Sequence, residues 1–209
     1  LPKSLSHRNI QIIEAINRHD IMKGAKNICE FGANNGQLLS AMKNLYDTNL
    51  EIGIEIELFK NVDYGYKWYG SVAETLKDNY IDILIASHAL VLTDYSEFIS
   101  AIRSNPKNVN HIIIVSQNPL NRPATLFYDD CISNPSIIGK SKLLESLGYN
   151  IIEAGILPNH PYETIVIGSK SIPAKITNYN NNNNKFIIKN EKEKIWSIYK
   201  EQSNRMKEN

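Results

Sequence analysis

Asn27-Ile28-Cys29-Glu30-Phe31-Gly32-Ala33-Asn34-Asn35-Gly36-Gln37-Leu38-Leu39 reads as a short apolar strand, a glycine turn and the start of a helix. Leu38, Leu39, Met42 and Leu45 then recur at helical spacing. A strand that runs through glycines into a helix exposes unpaired backbone N–H groups at the positive end of the helix dipole, a natural seat for an anionic or polar cofactor group. A dinucleotide fingerprint needs G-x-G-x-x-G, whereas the spacing here is Gly32-x-x-x-Gly36 with Asn34 between. That spacing argues against a nicotinamide oxidoreductase.

Outward from this turn the pattern alternates. Upstream, Ser4 or Ser6 can cap an entry helix carrying Ile10, Ile13 and Ile16, which ends near His19, Lys23 and Gly24. Downstream, Glu51-Ile52-Gly53-Ile54-Glu55-Ile56 is a second strand and Tyr66-Lys67-Trp68-Tyr69 a third, with a helix starting at Ser71. Ile81-Asp82-Ile83-Leu84-Ile85-Ala86 and His111-Ile112-Ile113-Ile114-Val115 are nearly continuous β-branched runs, as strands need when helices cover both faces. Phe98, Ile99 and Ile102 mark a helix between them, and Leu143, Leu144 and Leu147 another before Gly148. Ile151-Ile152 and Thr164-Ile165-Val166-Ile167 form a terminal antiparallel pair. The expectation is a doubly wound α/β domain with a mostly parallel seven-stranded sheet.

The whole chain has 209 residues, 42% of them hydrophobic, with 23 Lys and Arg against 22 Asp and Glu. The domain is expected over residues 1–177, followed by an Asn-rich linker at 178–185 and an amphipathic C-terminal helix at 186–209. That helix, with Ile195, Ile198, Tyr199 and Met206 along one face, either docks on its own domain or serves self-association or a neighbouring domain. A net charge of +1 supplies no broad basic field for nucleic acid, and no apolar run is long enough for a membrane span. Cys29 and Cys131 are unpatterned, so no disulfide framework or Cys-based zinc site is expected and a reducing cytoplasm is the expected setting. The chain opens on Leu1 with no leader pattern, which suggests that processing or trimming removed a preceding segment.

At this point the residues resemble the class I S-adenosylmethionine-dependent methyltransferases, in the small-molecule branch. Glu30-Phe31-Gly32-Ala33-Asn34-Asn35-Gly36 is similar to the family's acid-x-Gly-x-Gly-x-Gly motif, with Asn34 in place of the middle glycine. Gly53-Ile54-Glu55 resembles the strand-two ending whose carboxylate accepts hydrogen bonds from the ribose diol. Tyr69-Gly70-Ser71-Val72-Ala73-Glu74 is similar to the turn that contacts adenine, with Ser71 where Asp is common. Ile81 to Leu90 resembles the fourth-strand motif with its Ser87-His88 ending, and Leu92 stands where a second His is usual.

The resemblance implies a Rossmann-like methyltransferase fold and an S-adenosylmethionine cofactor held by Glu30, Gly32, Ala33, Asn34, Gly36, Glu55, Ile56, Ser71, Val72 and Ser87. His88, at the carboxyl end of a central strand, is the candidate general base; otherwise it lines the cofactor's methionine end or bonds the sheet. His111 is read as structural and His160 as part of a loop between the last two strands. Gln117 to Pro123, with Tyr128, Asp129 and Asp130, occupy the family's acceptor region, and their chemistry suits a small polar acceptor such as a sugar or glycan precursor. Ordinary Pro-bounded loop chemistry is the other reading. Asn118-Pro119 lacks the second Pro and the position of the base-amino methyltransferase signature, so DNA methylation is not expected. No metal set is expected at Asp129 and Asp130. Fifteen residues between Glu55 and Ser71 leave room for only a short helix, or none, beside the adenine pocket. The rival to an enzyme is therefore a non-catalytic methyltransferase-like module that binds a protein partner.

Overall fold

Strands buried on both faces need helices above and below, and the computed structural model, which describes residues 5–55, 66–91, 93, 95–117, 135–157 and 160–174, provides them. The chain runs α1 (His7–Arg18), β1 (Asn27–Phe31), α2 (Gln37–Leu45), β2 (Leu50–Ile54), β3 (Lys67–Tyr69), α3 (Val72–Asp78), β4 (Ile81–Ser87), a 3-10 turn (Ala89–Val91), α4 (Tyr95–Ser104), β5 (Val109–Gln117), α5 (Ile137–Ser146), β6 (Asn150–Leu157) and β7 (His160–Ser169). One seven-stranded sheet has the order β3-β2-β1-β4-β5-β7-β6. β7 pairs antiparallel with both β5 and β6, while the pairs from β3 across to β5 are parallel. The expected α/β architecture and terminal antiparallel pair are therefore present. The linker and C-terminal helix expected beyond residue 177 lie outside the described residues.

Period-two alternation along the strands splits the apolar residues between two cores. Ile28, Ile83, Ile85, Ile113, Val115, Ile165 and Ile167 pack against Ile12, Ile13 and Ile16 of α1 and Leu38, Leu39 and Met42 of α2. Cys29, Ile52, Ile54, Leu84, Ile112, Ile114 and Val166 face the other way, toward Leu76 of α3, Phe98 and Ile102 of α4 and Leu144 of α5. Cys29 is a free thiol wholly inside this second core, where burial pushes its pKa up. At the amino edge, one Asp82 oxygen accepts the backbone N–H groups of Lys26 and Asn27, each at 2.8 Å, and so locks the start of β1 to β4.

Three local devices position the elements around the site. Ser6 caps α1 by accepting the Asn9 N–H, and at its other end Arg18 and His19 meet Glu153 of β6 at 2.6 and 2.5 Å. On β2 and β3, Gly53 and Trp68 are register partners, and a Cβ added to Gly53 would stand 2.4 Å from the Trp68 ring. The glycine read from sequence as part of a motif thus has a packing reason. The third device is Lys140 of α5, fully buried, whose ammonium donates to the hydroxyls of Ser116 and Thr164. His111, read as structural, lies buried within β5, with Asn110 3.1 Å from its Nε2.

Two outcomes are expected from this packing. Gly53→Ala should lower stability by about 1–3 kcal/mol through overpacking, seen as a lower urea midpoint at unchanged slope. The loss should shrink in a Trp68→Leu background; an equal loss there would mean that the ring is not the cause. Burial holds the Lys140 pKa down to about 7, below its unfolded value, so the unfolded chain binds the extra proton between about pH 7 and 10.5. Stability from this group should rise across that window, and Lys140→Met should flatten the rise in pH-dependent urea melts.

Candidate functional site

The site is built at the carboxyl ends of β1, β2 and β4, where an open α/β sheet leaves a crevice. Gly32, Asn34 and Gly36 all take left-handed φ, +75°, +49° and +70°. Each has its own reason. A Cβ on Gly32 would lie 2.7 Å from the Ala89 Cβ, so this glycine lets the turn after β1 touch the turn after β4. Gly36 opens α2 under the Tyr66 ring, 2.7 Å from where its Cβ would be. Asn34 tolerates the left-handed region, and its backbone N–H donates to Glu55 Oε2 at 2.9 Å. The carboxylate beyond β2 and the turn beyond β1 are thereby joined.

Of the residues singled out from sequence, Glu30, Gly32, Ala33, Asn34, Glu55, Ser87 and His88 line one cavity of about 390 Å³. Ser71 and Val72 are not among them; they line a separate cavity of about 500 Å³, with Phe31, Thr93 and Phe98. The Ser71 hydroxyl caps α3 by accepting the Glu74 N–H at 3.2 Å, a structural task not read from sequence. Gly36 stands behind the first cavity as the cap of α2. Ile56, Leu92 and the acceptor-region residues 118–123 and 128–130 lie outside the described residues. His160 corrects the sequence reading: it is not in a loop but opens β7, paired with Leu157, because the antiparallel ladder extends further than its apolar residues suggested.

The electrostatics centre on Glu30. It is only 5% exposed, and its Oε2 has no hydrogen-bond partner. Burial pushes its pKa up to about 8, with the Arg8 guanidinium and the Leu39 backbone N–H pulling the other way and Glu55 adding repulsion. Ser87 Oγ is a second buried oxygen without a partner. Beside them His88 holds a left-handed φ of +62°, a strained conformation for this residue, with its N–H donated to Val115 O at 2.8 Å. Its Nε2 stands 3.1 Å from Glu163 Oε1, and Arg8 Nη1 reaches the same oxygen at 3.5 Å.

Arg8 and Glu163 were missed in the sequence. Arg8 lies in the first turn of the entry helix, outside every motif, and reaches the cavity wall with Ser6 and Asn9 because α1 crosses above the sheet. Glu163 precedes the apolar run of β7, where an acidic residue registered against Gln117 was the one available signal. Among the described residues no group of three His, Cys, Asp or Glu is placed to hold a metal ion, and no helix is long and apolar enough to cross a membrane.

No family model and no curated protein matches the sequence. Many solved structures match in shape. A SAM-dependent methyltransferase from Archaeoglobus fulgidus superposes with TM-score 0.60 at 15% identity, covering 78% of this chain and 94% of that one. The magnesium protoporphyrin IX methyltransferase of Synechocystis PCC 6803, with bound SAH, gives 0.57 at 14% identity, covering 78% and 82%. An O-methyltransferase family protein from Burkholderia thailandensis gives 0.58 at 10% identity, covering 78% and 56%. The strand order, the antiparallel β7 and these superpositions together give the chain the Rossmann-like fold of the class I SAM-dependent methyltransferases.

Proposed function

We propose that this chain binds S-adenosylmethionine across the carboxyl edge of its sheet and directs methyl transfer to a small polar acceptor, with a sugar or glycan precursor as the working choice. One observation carries the cofactor reading. Glu30 Oε2 and Ser87 Oγ are buried, unpartnered oxygens lining a single cavity beside a glycine turn that brings backbone close. Buried polar atoms without partners are costly unless a ligand completes them, and the cofactor's ammonium matches the carboxylate. Glu55 stands at the end of β2, where a ribose diol would meet it; its bond from Asn34 does not exhaust the capacity of a carboxylate. Ser71 and Val72, on the wall of a second cavity, are assigned the adenine end.

When bound, the cofactor supplies an electrophilic sulfonium methyl. The protein's share is mostly positioning. His88 lines the same cavity as Glu30, so its imidazole can take a proton from an acceptor hydroxyl brought against it, and Glu163 is placed to compensate the resulting charge. The acceptor choice rests on the polarity of the 117–130 segment in sequence. The Asn34–Glu55 bond favours one second reading, a module whose turn is satisfied internally and which serves as a protein-binding scaffold.

Calorimetry and thermal shift with S-adenosylhomocysteine separate the two. Saturable binding that raises the melting temperature, weakened about tenfold or more by Glu55→Ala, is expected of the enzyme. Silence at millimolar ligand with the fold intact would leave the scaffold. A pH series tests the Glu30 role. Below about pH 8 its carboxyl is largely protonated in the free protein, and an ammonium ligand requires it ionised, so affinity should climb toward pH 8 with proton release. Glu30→Gln should remove that climb. The same raised pKa makes the folded chain lose stability from about pH 4.5 up through about 8, so Glu30→Gln should be the more stable protein at pH 8 while binding worse. An unchanged pH profile in the variant would dismiss Glu30 as the ligand's counter-charge.

A further inference from the structure

We infer that Lys140 is a proton-operated latch on α5: as the free amine it seats the helix against β5 and β7, and as the ammonium it withdraws to water and lets the helix leave the sheet. The inference stands apart from the cofactor reading. Only two side chains of α5 are buried, Lys140 and Leu144. Leu144 lies against β7 where a glycine makes room for it, its Cδ1 3.0 Å from the place of a Cβ on Gly168. The other half of the grip is a lysine with no exposed surface at all. Its amine meets Ser116 Oγ of β5 and, at 2.9 Å, Thr164 Oγ1 of β7. Thr164 spends its own proton on Ser116 O at 3.1 Å, so it accepts from Lys140, while the Ser116 hydroxyl can serve the amine's lone pair. Two hydroxyls thus complete a neutral amine and offer an ammonium no opposite charge.

Among the described residues, the charged groups on the elements packed around it face elsewhere. Lys142 and Glu145 of α5 are exposed. Glu163 is Thr164's neighbour in β7 and therefore faces the opposite side of the sheet, toward Arg8 and His88. Glu153 of β6 meets Arg18 and His19 of α1. His111 lies at the far end of β5 beside Asn110, and Tyr149, with Lys170 over its ring, gives its hydroxyl to Val109 O. Lys140 also sits in the first turn of α5, where the helix dipole opposes a cation. Burial accordingly holds its pKa down to about 7, so the latch works across neutrality. The strand end it grips bears on the site, because Thr164 adjoins the carboxylate that stands beside His88.

Hydrogen exchange of the full chain tests the latch, with the intrinsic rate at each pH divided out. Opening α5 frees an amine of ordinary pKa, about 10.4, so protection of the α5 amides should fall about 50-fold from pH 9 to 7 and only about twofold more from pH 7 to 6. In Lys140→Met it should vary less than about threefold over the whole range. The release is local, so α5 exchange should hardly respond to low urea, whereas amides of α2, held by the core, should respond steeply. Level protection in wild-type α5 from pH 9 to 7, or a fall that persists in Lys140→Met, would overturn the latch. A urea slope in α5 equal to that of α2 would place the proton's effect on the whole fold and overturn it as well. Should the variant not fold, the wild-type pH and urea slopes decide alone.

Discussion

A carboxyl group placed near the end of a central strand and buried inside the protein is the constraint around which this site is arranged. Glu30 is the fourth residue of β1, in register with Gly53 of β2 and Ile85 of β4, one residue before the strand gives way to the glycine turn. Its position is held by backbone that only certain residues permit: the left-handed turn at Gly32, the close contact with Ala89 and the start of α2 at Gly36. Burial disfavours the charged form, so the free protein keeps Glu30 protonated near neutrality.

The other charges fall into place relative to it. α1 brings Arg8, β4 brings His88 and β7 brings Glu163, and the single oxygen Glu163 Oε1 lies near both of the others. These three residues come from the beginning, the middle and the end of the domain. They meet because α1 crosses the face of the sheet and because β7 turns back antiparallel beside β5, delivering the first residues of β7 to the edge where β4 ends. On the far side of the site the sheet is finished by aromatic rings: Trp68 lies on Gly53, and Tyr66 covers Gly36 with Lys43 over its own ring, 6.0 Å from the centroid. The β2–β3 edge thus relies on small residues opposite large flat ones.

The solved structures of like shape are 10–15% identical to this chain, which is enough to share a fold and too little to share an acceptor. Chemistry has to be argued from the cavity. There the strained His88, the buried oxygens and the Arg8 guanidinium are what this chain contributes in its own right.

Much of the fold was legible in the sequence because its signals are local. β-Branched runs at 81–86 and 111–115 imply strands covered on both faces, Ser6 caps a helix through its own side chain, and a Gly–Asn–Gly turn can follow a strand in few other ways. Seven of the proposed site residues met in one cavity because they sit at strand ends, whose common edge follows from parallel order alone. What the sequence by itself determined, then, was the alternation of elements, the sheet's carboxyl edge and the residues placed on it. The tertiary structure alone decided the partners. That Gly53 must be glycine depends on a ring across the ladder; that Ser71 serves a helix depends on where α3 begins; that His160 belongs to a strand depends on pairing with Leu157. Arg8 and Glu163, 155 positions apart, carry no pattern that spacing could reveal, because long-range contact is set by packing of α1 and β7 on the sheet and not by any neighbour in the chain.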